Sequence, residues 1–171
     1  MKIAVISDTH RKFPLAKEAI DNLIAKGSQY IIHAGDICEY DTIDYIKNTG
    51  LPYVAVYGNN DAHMVQYHND FNLHKEPYYF KIEDLKFKLM HMPYYLTPDS
   101  DVVIFGHTHI FEVKKHENTL FLNPGEVCAR EKPLSEYVLL EVDATSYTVH
   151  YFAKDIRTAQ IEEKVYTFER I

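Results

Sequence analysis

Two imidazoles, His107 and His109, close the run Val102-Val103-Ile104-Phe105-Gly106-His107-Thr108-His109. The four apolar residues read as a buried strand, and Gly106 lets the backbone turn at its end. In an extended segment this spacing puts both rings on one face. Neutral imidazole is the commonest protein ligand for borderline metals, so the pair suggests a metal site, although a His-x-His pair in a loop also occurs as two solvated side chains. The pattern recurs along the chain. Lys2–Ser7 ends in Asp8-Thr9-His10, and Tyr30–His33 leads into Gly35-Asp36. Tyr53–Tyr57 ends in Gly58-Asn59-Asn60-Asp61, Leu85–Met90 in His91, and the hairpin Phe111–Leu122 in Asn123-Pro124-Gly125-Glu126. Each residue has an ordinary alternative. Asp8 and Asp36 are also good helix caps, Asn59 suits a left-handed turn, and His91 suits a core with its ring satisfied.

Asp8, His10, Asp36, Asn59, His91, His107 and His109 offer oxygen and imidazole nitrogen without thiolate. That donor set suits Mn, Fe, Ni, Co or Zn better than Ca, Mg or a structural cysteine-type zinc site. Seven ligands exceed what one tetrahedral ion uses. Two ions sharing a carboxylate would use them all and leave positions for water and substrate, which points to a two-metal hydrolase.

The elements that must position these residues can be read from periodicity. Lys2–Ser7 is a nearly continuous apolar run, as in a central strand covered on both faces. Pro14 opens a helix with the apolar stripe Leu15, Ala19, Ile20, Leu23 and Ile24, closed by Gly27. Tyr30–His33 and Tyr53–Tyr57 are further strands, with a shorter helix over Asp41–Asn48 between them. Strand–helix–strand–helix–strand predicts parallel pairing with right-handed crossovers. In the second half, Tyr78–Ile82 with Leu85–Met90 and Phe111–Leu122 read as hairpins, around the Val102–Phe105 strand. Tyr137–Val142 and Tyr147–Phe152 read as half-exposed antiparallel strands. Within the tail 155–171, Val165–Phe168 reads as an edge strand. The expected fold is α/β: one domain over residues 1–171 in which two sheets pack together and helices cover the outside. Open sheets of this kind gather their sites outside the carboxyl ends of the strands, so the strand-end residues should meet on one rim.

Composition bounds the function. The chain has 171 residues, 46% of them hydrophobic and 25% charged, which is ordinary globular usage. With a net charge of −7 and no basic stripe, long nucleic acids are poor partners. Two cysteines make no disulfide framework, and no run is apolar enough for a secretory leader or a membrane span. A cytoplasmic setting is the default expectation. The tyrosine-rich strands allow a homodimer.

Together, Asp8-Thr9-His10, Gly35-Asp36, Gly58-Asn59-Asn60-Asp61, His91 and Gly106-His107-Thr108-His109 resemble the calcineurin-like metallophosphoesterase superfamily. The short chain and Asn123-Pro124-Gly125 resemble its small YfcE-type phosphodiesterases. The resemblance covers about residues 1–150 and implies the family fold, two packed mixed β-sheets flanked by α-helices in a four-layer sandwich. It implies that Asp8, His10, Asp36 and His109 hold one ion, that Asn59, His91 and His107 hold a second, and that Asp36 bridges them. Three positions depart from the pattern. Arg11 stands where the family usually has Gly, and Met92 follows His91 where many relatives have Gly. Asn60 stands where classical members have a His.

The implied activity is a metal-dependent phosphodiesterase on small phosphate esters, with a hydroxide between two ions attacking phosphorus. Two ions carry four positive charges, and Asp8, Asp36 and hydroxide remove three, leaving a field suited to an anionic substrate. Asp36 and Asn60 are the candidate catalytic residues, and Asn60, Arg11 and Arg130 the candidate phosphate contacts. Lys12 reads as solvated charge. An amide delivers no proton at neutral pH, so esters with acidic leaving groups should turn over best unless His63 substitutes as acid. His33 reads as support for Asp36, and Tyr94 and Tyr95 as packing or as a stacking surface. Two alternatives remain: a phosphomonoesterase or nucleotidase on the same ions, and a protein-binding scaffold like the retromer subunit of this fold.

Overall fold

The computed structural model describes residues 1–170, so Ile171 at the end of the expected domain and tail lies outside the described residues. The first half runs β1 (Lys2–Ile6), α1 (Phe13–Ala25), β2 (Tyr30–His33), α2 (Tyr40–Asn48), β3 (Tyr53–Val56), a 3-10 helix (Ala62–Tyr67) and β4 (Leu73–His74). The second runs β5 (Tyr78–Ile82), β6 (Leu85–Leu89), β7 (Val102–Ile104), β8 (Phe111–His116), β9 (Thr119–Pro124), β10 (Leu134–Val142), β11 (Ser146–Asp155) and β12 (Ile161–Glu169). They form a seven-stranded sheet, β12-β11-β10-β1-β2-β3-β4, and a five-stranded sheet, β5-β6-β7-β9-β8. Both are mixed. β1, β2 and β3 pair in parallel, as do β6, β7 and β9, while β10, β11, β12, β5 and β8 pair antiparallel.

The sheets pack face to face through one apolar layer. Ile3, Val5, Ile32, Val56, Val138 and Leu140 from the larger sheet meet Phe87, Leu89, Val102, Ile104, Leu120 and Leu122 from the smaller. The larger sheet's other face is covered by α1 and α2. Ala16, Ala19, Ile20 and Leu23 of α1 are buried there against Ala4, Ile6 and Ile31. Full burial of each large aliphatic side chain contributes about 1.5–3 kcal/mol.

The smaller sheet's outer face carries Met90, Val103, Phe105 and Phe121. No helix covers it. The covering layer is the loop between β6 and β7, clamped by Lys88. That side chain is fully buried, and its Nζ donates to Tyr95 O at 2.6 Å and Thr97 Oγ1 at 2.7 Å, 2.7 Å from Asp99 Oδ1. An interior ammonium satisfied by loop carbonyls ties the loop to the sheet where an apolar residue could not.

The tail differs most from the sequence expectation. β12 begins at Ile161 rather than Val165, because it is a half-bare edge strand whose mostly exposed residues lack the period-2 signal. β10 and β11 likewise extend beyond the alternating segments, to Leu134 and Asp155. β4 and the 3-10 helix are too short to leave a periodic trace.

Both parallel sets point their carboxyl ends to one rim, where the loops approach closely. Asp8 N–H donates to Gly35 O at 3.0 Å, Gly106 N–H to His91 O at 3.0 Å, and Cys128 N–H to Asp8 O at 3.1 Å. The contacts leave no room for side chains at two glycines. A Cβ on Gly58 would lie 2.1 Å from Asp36 Oδ1, and one on Gly106 would lie 2.1 Å from Ser7 Oγ. His33 ties two of these loops. Its buried ring accepts the Gly35 N–H at Nδ1 (3.1 Å), so the proton sits on Nε2, 2.9 Å from Thr9 Oγ1. The expected support of Asp36 is therefore indirect, because both ring nitrogens are committed to the flanking loops.

These contacts set two outcomes for stability. Gly106→Ala should lose about 1–3 kcal/mol in urea unfolding, since Ser7 and the backbone must shift to admit the methyl. Burial pushes the His33 pKa down to about 4. The unfolded chain then takes up this proton first, so stability present above pH 6.5 is lost as pH falls toward 4. A urea midpoint that falls between pH 7 and 5 in the parent, and falls less in His33→Gln, is the expected result.

Candidate metal centre

Five of the seven candidate ligands hold left-handed backbone, which L-residues adopt rarely: Asp8 (φ 53°), His10 (45°), Asp36 (55°), His107 (68°) and His109 (60°). Such strain persists only where the surroundings over-determine it, and it clusters at functional sites. Here each strained residue lies just beyond a parallel strand, and the turn aims its side chain back across the rim.

The structure brings all seven candidates into one cluster. His10 Nε2 lies 3.8 Å from Asp8 Oδ1 and 3.6 Å from Asp36 Oδ2, and His109 Nε2 lies 3.2 Å from Asp8 Oδ1. On the other side, His91 Nε2 is 3.4 Å from Asp36 Oδ2 and 2.9 Å from Asn59 Oδ1, which in turn is 3.1 Å from His107 Nδ1. The two groups meet at Asp36 Oδ2. Asp8, Asp36, His91 and His109 are buried, whereas Asn59 is exposed. Asp8 Oδ1 and His10 Nε2 are buried with no hydrogen-bond partner. Orphaned polar atoms of this kind are costly unless something else meets them.

The electrostatics arise from packing. Burial works to raise the Asp36 carboxyl, but the His91 imidazole and the Asn60 backbone and amide N–H groups hold it far below the usual range. Asp8 is also lowered, burial being outweighed by His109, His91 and Ser7. For His109, burial opposes the charge, yet Asp8, Cys128 and Glu126 raise its pKa to about 11. His91 is raised as well, burial being outweighed by Asp36 and Asp8. His10 is lowered, by burial and by Arg130. The carboxylates thus favour positive charge on His91 and His109, the charge that a cation held between them would supply.

Asn60 sits differently from the sequence expectation. Its backbone N–H donates to Asp36 Oδ1 at 2.9 Å and its Nδ2 to Asp36 Oδ2 at 2.8 Å, so its amide is turned onto the carboxylate. Arg11, Lys12, Asn60, His63 and Arg130 line a cleft of 420 Å³ that opens onto His10. Arg130 Nη2 reaches within 3.2 Å of His109 Nε2. The His63 Nε2 proton is held by Cys38 O at 2.8 Å. Lys12, read as solvated charge, shares this wall.

Two neighbours escaped the sequence reading. Cys128 lies with His10 and His109 in a group whose ligand atoms are all within 4.8 Å of one another, which adds a thiol to the donor set. Glu126 is buried with Oε2 2.5 Å from His109 Nδ1. Its position just beyond β9, a parallel strand ending on the same rim, was the available signal.

Comparison with known proteins fits this geometry. The phosphodiesterase MJ0936 of Methanocaldococcus jannaschii is 29% identical over 160 residues, spanning 86% of this chain and 96% of that protein. Wild-type Vps29 from Entamoeba histolytica, in a crystal structure complexed with Zn²⁺, superposes with a TM-score of 0.72 at 24% identity, covering 99% of each chain. YfcE, a phosphoesterase from E. coli, superposes with a TM-score of 0.70 at 19% identity, covering 96% of this chain and 98% of that one. At these identities the two structures share the fold. The profile of the calcineurin-like phosphoesterase superfamily domain matches residues 1–145, and the chain belongs to that family.

Proposed function

We propose that this chain is a metal-dependent phosphodiesterase acting on small phosphate esters at a two-ion centre. The observation that carries the reading is the pair of ligand groups sharing Asp36 Oδ2, with Asp8 Oδ1 and His10 Nε2 buried and unpartnered. Asp8, His10, Asp36 and His109 would hold one ion, and Asp36, Asn59, His91 and His107 the other. Oxygen and imidazole donors with one thiol nearby suit Mn, Fe, Co, Ni or Zn. When bound, two such ions would supply Lewis acidity, activating water and offsetting the charge that builds on the phosphoryl oxygens.

The chain's own residues do the rest. Asn60 and Gly58 set the Asp36 carboxylate: the amide donates to it, and the missing Cβ lets the loop lie against it. Arg11 and Arg130 supply fork-shaped donors along the cleft for phosphoryl oxygens. Neither Asn60, an amide, nor His63, whose Nε2 proton is bound to a carbonyl, is set to protonate the leaving group. The leaving group must therefore depart as an anion or take its proton from water. This favours diesters with acidic alcohols.

The fold similarity to Vps29 favours a second reading, a binding scaffold. The complete ligand set argues for the enzyme, because buried polar atoms without partners, here Asp8 Oδ1 and His10 Nε2, are a liability in a surface that only binds protein.

Elemental analysis after manganese loading should find about two ions per chain, and Asp36→Asn should lose most of both. A parent chain that takes up none would overturn the reading. A bis(aryl) phosphate and its monoester, assayed side by side, should favour the diester, with rates rising as the phenol becomes more acidic. Faster monoester turnover would assign the site to the phosphatase alternative.

A further inference from the structure

Glu126 is a fully buried carboxylate that the two ion-holding groups do not use. Among the four imidazoles of the centre it backs one. The His91 Nδ1 faces Ala34 O at 2.8 Å, the His10 Nδ1 faces Cys38 Sγ at 3.6 Å, and His107 uses Nδ1 toward Asn59. The His109 Nδ1 alone meets a carboxylate, Glu126 Oε2, at 2.5 Å. We propose that Glu126 is a positioning residue for the metal centre: in the ion-bound, neutral ring it keeps the His109 proton on Nδ1, so that Nε2, which faces Asp8 Oδ1 and Arg130 Nη2, is the atom left to hold the ion. The inference rests on the metal-dependent reading of the site.

The geometry around Glu126 is built to keep it ionised and still. Glu131 N–H and Lys132 N–H donate to Oε1 at 2.9 and 3.0 Å. The Cys128 thiol donates to Oε2 at 3.3 Å, and Lys132 Nζ lies 3.6 Å from Oε1. Lys132 Nζ also donates to the His109 backbone carbonyl and pairs with Glu136 Oε2 at 2.7 Å. Ring and backbone of His109 are thus gripped by one network. An ionised carboxylate only accepts, so it admits a single arrangement of a neutral ring: N–H toward Glu126 and lone pair toward Asp8. A carboxylate behind a ligating histidine also raises its basicity, and removing such a partner typically weakens metal binding.

A structural role alone would not select among the ions, and that separates the two cases. Glu126→Gln keeps the shape but puts an amide among donors that need an acceptor. In zinc titrations with a competing chelator, the variant should bind one of two ions about 10–100-fold more weakly and the other near the parent affinity. Nitrogen-15 NMR of the zinc-loaded parent should show His109 protonated at Nδ1 and metal-bound at Nε2, with a low-field Nδ1 proton that moves upfield in Glu126→Gln. Two unchanged affinities in the variant would overturn the proposal. The parent spectrum tests it even if the variant does not fold, because metal on Nδ1 would equally overturn it. A parent chain that binds no zinc would instead remove the reading beneath it.

Discussion

The need to hold two carboxylates away from water shapes the whole rim of this molecule. Asp8 and Asp36 are buried at the ends of adjacent parallel strands, where an uncompensated charge is expensive. Their compensation is local and dense. Imidazoles from both sheets, the Ser7 hydroxyl, the His107 backbone N–H and the Asn60 amide all turn toward them. The β-sandwich beneath supplies the rigidity that keeps these groups from relaxing apart.

That rigidity is spent on unusual backbone. A left-handed turn at five candidate ligands, with glycines where loops nearly touch, lets short connections send side chains back across the strand ends. The ties between loops, such as His33 linking Thr9 to Gly35, span strands adjacent in the sheet. Strain at one turn is therefore shared with its neighbours rather than relieved locally.

Much of this was legible in the chain. Buried parallel strands leave apolar runs, and the residues just past each run lie on the rim, so Asp8, Asp36, Asn59, His91 and His107 could be grouped before any coordinates. The less legible parts share a cause: they depend on where a side chain turns, or on elements without periodicity. Asn60 reads from its loop position as a phosphate contact, and only the folded loop shows its amide turned onto Asp36. Glu126 ends a parallel strand like the others, yet nothing in its type distinguishes a histidine's partner from a surface charge. The two-residue β4 and the exposed first half of β12 carry no amphipathic signature. For Lys88, alternation with charged neighbours on β6 reads as a solvated face, and only the folded loop 91–101 makes it interior.

The sandwich has one more consequence. Asp8, His10, Asp36 and Asn59 come from the larger sheet, while His91, His107 and His109 come from the smaller. Neither half of the chain owns a complete cage for a cation. At the proposed two-ion centre each captured ion would therefore draw the equilibrium toward the docked form by mass action. Chemistry at the seam would then double as a latch on the assembly of the molecule.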